Sequence, residues 1–139
     1  MSILVDSSVW ISFLNGVNSA EAAYLAVCIA EDRSLAIPGL VRTEVLVGAR
    51  TEVEALRISE SLSAFPLVPE ATPSDYERAA QIYRICRSRG FTIRSTIDCL
   101  IAQLCLRDGL ELLATDRDFE AIGNAFPLRR VPARASPGA

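Results

Sequence analysis

The sequence contains no histidine and no lysine. Without histidine, serine–histidine and cysteine–histidine nucleophile schemes are excluded, and with no C-x-x-C pair either, a zinc site of the usual Cys/His kind is disfavoured. Without lysine, there is no P-loop and no Schiff-base chemistry. A phospho-receiver domain shares an early acidic cluster, but it is disfavoured because it relies on a lysine. Cysteine is scarce, with Cys28, Cys86, Cys99 and Cys105 forming no C-x-x-C pair, so the four are expected to be reduced, buried thiols. No apolar run approaches the roughly 18 residues that a membrane helix needs. The N-terminus lacks the basic and apolar regions of a signal peptide. The expectation is a cytoplasmic protein without a membrane partner. Chemistry is left to carboxylates, hydroxyls, arginines or a metal ion.

The 139 residues fit a single domain, expected over residues 1–131. A Pro-rich tail of small residues at 132–139 is expected to be flexible. A chain of this length buries roughly 68–70% of its unfolded surface, so it needs no disulfide or metal to hold a core. Residues 2–5 read as a short buried strand. Residues 7–15 read as a helix capped by Ser7 or Ser8. Apolar residues at helical spacing, including Ala22, Leu25, Ala26 and Ile29, mark a helix over 19–32. A short strand or turn at 35–38 leads to a helix over 38–49, opened by proline, and another helix covers 51–64. After an extended piece at 66–70, Thr72, Pro73 and Asp75 open a strong helix that Gly90 closes. A second strong helix runs from Ser95 to near Gly109. Residues 110–115 read as a strand, and 128–131 as a possible last strand. Strands alternating with helices imply an α/β fold with a central parallel sheet covered on both faces.

Several carboxylates stand where a buried fold has little use for them. Asp6 follows the first strand and Asp116 follows "ELLAT", and ligand sites of open parallel sheets lie at the carboxyl ends of strands. Either residue is equally readable as a turn or cap. At about 100° per residue, Glu44 falls in a stripe with Leu40, Val41, Val47 and Gly48, with Arg42 almost opposite. A charge there needs a partner or a cation, and a salt bridge to an arginine is the plain alternative. Asp98 shares its face with Ile101, Ala102 and Cys105, whereas Gln103 and Arg107 point away. "STID" also fits a capping box in which Asp98 reaches back to Ser95. Asp118 is either a site member or the cap of a short helix from Phe119.

Acids that converge without cationic partners repel one another. Hard divalent ions resolve this, and oxygen-only donors favour Mg²⁺ or Mn²⁺. Such ions bind phosphate oxygens and activate water, which suits phosphodiester hydrolysis. Between Arg78 and Ile97 the chain holds Arg78, Arg84, Arg87, Arg89 and Arg94 and no acid. Arginine forks suit phosphates, and such contacts dominate nucleic-acid affinity, although a solvated helix face has the same composition. Setting the five acids aside changes the net charge from −3 to +2. A small Mg²⁺-dependent phosphatase is disfavoured because Ser8 stands where a D-x-D motif needs its second aspartate. A non-catalytic RNA-binding scaffold would have little reason to keep acids in apolar settings.

The order of strand–Asp6, helix–Glu44, "TIDCLIA" with Asp98 and "LLATDRDF" with Asp116 resembles PIN-domain ribonucleases. "VDSSVWI" and "RSTIDCLIA" are especially similar to the VapC-type toxins of bacterial toxin–antitoxin pairs. The resemblance spans residues 2 to about 131. It implies an α/β/α sandwich and Mg²⁺- or Mn²⁺-dependent endonucleolytic cleavage of RNA. Asp6, Glu44, Asp98 and Asp116 match the family's four acidic positions, with Asp6 and Asp98 the best candidates for direct metal contact. Asp118 matches a position acidic in some members only. Ser7 and Thr115 match hydroxyl positions beside the metal, and Arg84, Arg87, Arg89 and Arg94 are candidate RNA contacts. A homodimer and a small antitoxin covering the site are also implied. Trp10, Phe13 and Leu14 are candidates for that contact surface or, equally, for the core.

Overall fold

The structure, a computed structural model, describes residues 2–132. Most of the tail expected to be flexible, residues 133–139, lies outside the described residues. The central sheet has three parallel strands, β1 (Ile3–Val5), β2 (Leu35–Ala36) and β3 (Glu111–Leu113), in the order β2-β1-β3. Every residue of β1 and β2 is buried, as are Leu112 and Leu113. Such continuous apolar runs suit strands covered on both faces, and each buried leucine or valine contributes about 1.5–3 kcal/mol. Among the described residues, 128–131 form no further strand. Only an isolated bridge joins Leu112 to Arg130, because the chain touches the edge of β3 and runs on. A second bridge, Ile37 to Leu67, accounts for the extended piece after residue 65.

Seven helices surround the sheet among the described residues: α1 (Ser7–Leu14), α2 (Ala20–Ala30), α3 (Gly39–Val47), α4 (Glu52–Leu62), α5 (Pro73–Ser88), α6 (Thr96–Asp108) and α7 (Arg117–Ala125). They pack as two groups. Helix α1 lies on α2 and α3, with α3 on α4, while α5, α6 and α7 pack on one another. Helices in two groups around a buried parallel sheet make the α/β/α sandwich that the sequence implies. All four cysteines are free and buried. Trp10 belongs to the core, 2% exposed and packed against Phe13 and Phe65. Leu14 on the same helix is partly exposed.

Local expectations fail where tertiary contacts decide. Neither Ser7 nor Ser8 caps α1, because Asp6 does so by accepting from the Ser8 N–H. On α2 the buried positions are Ala22, Leu25 and Cys28, and Ala26 faces solvent. On α3, Val47 is 78% exposed, since the last turn leaves the core. The reciprocal capping box belongs to α5, where Thr72 and Asp75 each accept from the other's backbone N–H. At α6 the Ser95 hydroxyl accepts from Ile97 instead. Gly109 ends α6 with φ +65°, a left-handed turn that a Cβ would strain.

Gln103 and Arg107 point away from Asp98, as expected, yet they do not face solvent. Gln103 donates to Asp75 Oδ1 at 3.1 Å and Arg107 to Asp75 Oδ2 at 2.7 Å. Arg107 also donates to the carbonyls of Pro69 and Glu70. Asp75 is 3% exposed and fully engaged, so this network ties α5, α6 and the preceding loop together. The Thr72 N–H, and then Gln103 and Arg107, hold its carboxyl well below the usual carboxylate range. The folded pKa is therefore below the unfolded one, and the contribution to stability is present above about pH 4 and lost as pH falls further. Asp75→Ala should cost about 2–3 kcal/mol by urea unfolding at neutral pH, as expected for losing charge-assisted hydrogen bonds. The stability gap between wild type and Asp75→Asn should narrow as pH is lowered below about 4. A gap that widens there would refute this account.

Candidate metal centre

The parallel pairing of β1 with β3 aligns Ile3 with Glu111, Leu4 with Leu112 and Val5 with Leu113. The Asp6 N–H continues the ladder, donating to the Leu113 carbonyl at 3.0 Å. Both strands thus end at the same level, and each is followed by an aspartate that opens a helix. Asp6 caps α1 and Asp116 caps α7, accepting from the Asp118 N–H at 2.9 Å. The cap of α7 is therefore Asp116 and not Asp118, and the helix begins at Arg117. Asp6 and Asp116 are thus both helix caps, as one reading of the sequence had them, and both stand at the exits of paired strands.

Asp98, Asp116 and Asp118 each offer a carboxylate oxygen, and these three atoms lie within 4.8 Å of one another. Asp118, the acid with the weakest sequence warrant, is in this tight trio and is 1% exposed. Asp6, 5% exposed, acts electrostatically on Asp98, and Asp116 acts on Asp6. Glu44 borders the group through Asp6. All five acids thus belong to one electrostatic cluster, with Asp6 and Glu44 outside the tight trio.

Two serines divide the hydroxyl roles. Ser8 Oγ donates to Asp6 Oδ2 at 2.7 Å, and Thr115 Oγ1 donates to Ser8 Oγ at 3.2 Å. This short chain crosses from the exit of β3 to that of β1. Ser7 lies beside Glu44, where its hydroxyl favours the charged carboxylate. Ser8 was the less legible residue, because in sequence it reads equally well as a cap.

Burial, then Asp116, Asp6 and Asp118, push the Asp98 carboxyl up to about 7. Burial also raises Asp6, against the pull of Ser8, and raises Glu44, against Ser7. The arginine salt bridge considered for Glu44 is not among the described ion pairs, and its Oε1 is buried with no hydrogen-bond partner. An orphaned carboxylate oxygen beside an all-oxygen donor set suits a hard divalent cation. Asp98, Asp116 and Asp118, with Asp6 and Glu44 alongside, are the residues able to hold one.

The candidate RNA contacts separate. Arg84, Arg87 and Arg89 are exposed near the end of α5, and Arg87 lies over the Tyr83 ring at 5.7 Å. Arg94 is instead at the acids. Its backbone N–H donates to Asp118 Oδ2 at 3.0 Å, and its guanidinium reaches Asp116 Oδ1 at 3.3 Å. These links span 24 and 22 residues, a separation that local pattern does not reveal.

Fold and site together define a parallel α/β protein with an all-carboxylate centre at the sheet's carboxyl edge. A family model described as PIN domain matches residues 3–125, and the chain belongs to the PIN-domain family. It is 30% identical over 128 residues to Ribonuclease VapC11 of Mycobacterium tuberculosis, covering 91% of this chain and 96% of that protein. Over 94 residues, 68% of each chain, it is 37% identical to Ribonuclease VapC51 of the same organism. Among solved structures, a chain of the VapBC2 complex from Rickettsia felis bound to promoter DNA superposes with TM-score 0.72. That match has 16% identity and covers 94% of this chain and 98% of that one. No described helix is long and apolar enough to cross a membrane.

The raised Asp98 carboxyl has a consequence for stability. Folded, it keeps its proton to about pH 7; unfolded, it releases it near pH 4. Between these values the folded state binds more protons, so stability falls as pH rises. In EDTA, Asp98→Asn should therefore melt above wild type, with the difference growing from about pH 5 to about pH 8. Thermal unfolding followed by circular dichroism measures this, and a difference that shrinks with rising pH would contradict it.

Proposed function

We propose that this chain is a VapC-type endoribonuclease toxin that hydrolyses RNA phosphodiester bonds with Mg²⁺ or Mn²⁺. The observation that carries this reading is the convergence of Asp6, Asp98, Asp116 and Asp118 at two strand exits, in a PIN-domain chain, with the Glu44 oxygen orphaned beside them. The likeness to named VapC ribonucleases over nearly the whole chain supports it.

Asp6, Glu44, Asp98 and Asp116 are assigned to the metal, and Asp118 joins them through its place in the tight trio. A divalent ion held by these carboxylates would offset their charge, and the chemistry it would supply is phosphate binding and activation of water. Ser8 and Thr115 orient Asp6, and Ser7 stands by Glu44. Burial of Asp6 and Asp118 keeps these carboxylates in fixed positions, so their geometry does not reorganise when charge develops. Arg84, Arg87 and Arg89 supply an exposed cationic face for the RNA backbone. By analogy with the VapBC complexes, a VapB-like antitoxin covers the site, and the toxin acts as a homodimer in the cytoplasm.

The purified protein should cleave RNA with Mg²⁺ or Mn²⁺ and not in EDTA. Sequencing of fragment 5′ ends after induction in cells would name the target. Asp6→Asn and Asp98→Asn should each lose at least about a hundredfold in rate, the equivalent of about 2.7 kcal/mol of transition-state stabilisation, while circular dichroism stays unchanged. Full cleavage in both folded variants would sink the proposal.

A further inference from the structure

Arg94 is rooted more firmly than its exposure suggests. Its neighbour Ile93 is buried, and Ser95 on the other side caps α6. Its own N–H is taken by the buried carboxylate of Asp118. The backbone is pinned at the edge of the acid cluster, and the guanidinium is delivered there on a short leash. The guanidinium itself is loosely held. The side chain is 72% exposed, with one nitrogen 3.3 Å from Asp116 Oδ1 and Nε 3.8 Å from Asp118 Oδ1. The guanidinium end of both pairs is in solvent, which screens and weakens them. Five donors in a planar fork are only partly used by these two contacts, and the rest face solvent.

The arm also divides the acids. Arg94 sits on Asp116 and Asp118, and among the described ion pairs none reaches Asp98. The cation thus offsets one side of the cluster and leaves the Asp98 side to an incoming ion.

We infer that Arg94 is the resident counter-ion of the acid cluster and a two-position arm, lying on Asp116 and Asp118 in the metal-free protein and turning to a phosphate of the substrate once a divalent ion neutralises those acids. The second position rests on the ribonuclease reading, but the first does not. The weak, exposed grip makes exchange inexpensive, and the pinned backbone keeps the guanidinium within reach of whatever the acids bind. Its planar fork is the donor suited to a phosphate.

The test is Mn²⁺ titration by calorimetry of wild type, Arg94→Gln and Arg94→Lys. It is joined by steady-state cleavage of an RNA oligonucleotide in saturating Mg²⁺. Any residue but proline keeps the backbone N–H bond to Asp118, so Arg94→Gln retains the root and loses the charge. Removing a nearby positive charge should tighten Mn²⁺ binding about three- to tenfold. KM should rise about tenfold with kcat changed far less, and Arg94→Lys should recover most of both effects. Mn²⁺ affinity that is unchanged or weaker in folded Arg94→Gln would overturn the counter-ion role. A fall in kcat with KM unchanged would overturn the phosphate role. If wild type cleaves no RNA, the ribonuclease reading fails, and the Mn²⁺ titration still decides the counter-ion role.

Discussion

The site depends on the parallel pairing of β1 with β3. Val5 and Leu113 are paired, and the Asp6 N–H extends the ladder to the Leu113 carbonyl. Two chain segments more than a hundred residues apart in sequence therefore leave the sheet side by side. A slip of one residue would turn every β1 side chain to the opposite face and carry Asp6 out of line with Asp116. Such a slip is opposed because it would draw Ser2 or Asp6 into β1, whose three positions are all buried and apolar. The hydrophobic sheet thus sets the positions of the carboxylates.

The acids gathered at this edge repel one another, and the fold offsets part of that cost with helix N-termini. Asp6 caps α1, Asp116 caps α7, Asp118 lies in the first turn of α7, and Asp98 lies in the first turn of α6. A carboxylate at a helix N-terminus gains typically 0.3–1 kcal/mol from the backbone dipoles. Four of the five acids use this. Glu44 is inside α3 and has no such support, which fits its orphaned oxygen.

Asp75 shows what a structural buried acid looks like in the same molecule. It is as buried as Asp6, yet Thr72, Gln103 and Arg107 satisfy it and its pKa falls. Asp6, Glu44 and Asp98 are raised instead. Burial does not distinguish Asp75 from Asp6, but the direction of the shift does. A satisfied carboxylate contributes to folding, whereas an unsatisfied one stores a cost that a cation can relieve.

Much of this was legible in the chain itself. The helices from Ser19, Thr72 and Ser95 announce themselves through caps and apolar spacing, and Gly109 marks its stop. The absence of histidine and lysine left chemistry to carboxylates, hydroxyls, arginines or a metal, and four acids in family order pointed to one centre. Local pattern left two candidates for each of the caps of α1 and α7, a serine beside Asp6 and Asp118 beside Asp116, of which the structure uses Asp6 and Asp116. It took Val47 and Ala26 for buried residues, since a helical wheel does not say where a helix leaves the core. It did not reveal that Arg94 reaches Asp116 and Asp118, or that Ser8 rather than Ser7 holds Asp6. The sequence by itself determined which residues are able to do the chemistry and which elements carry them, because composition and periodicity are local properties. Only the tertiary structure decided which carboxylates meet and which cation stands among them. Those contacts depend on strand register and on pairings across more than twenty residues, and no local energy term fixes them.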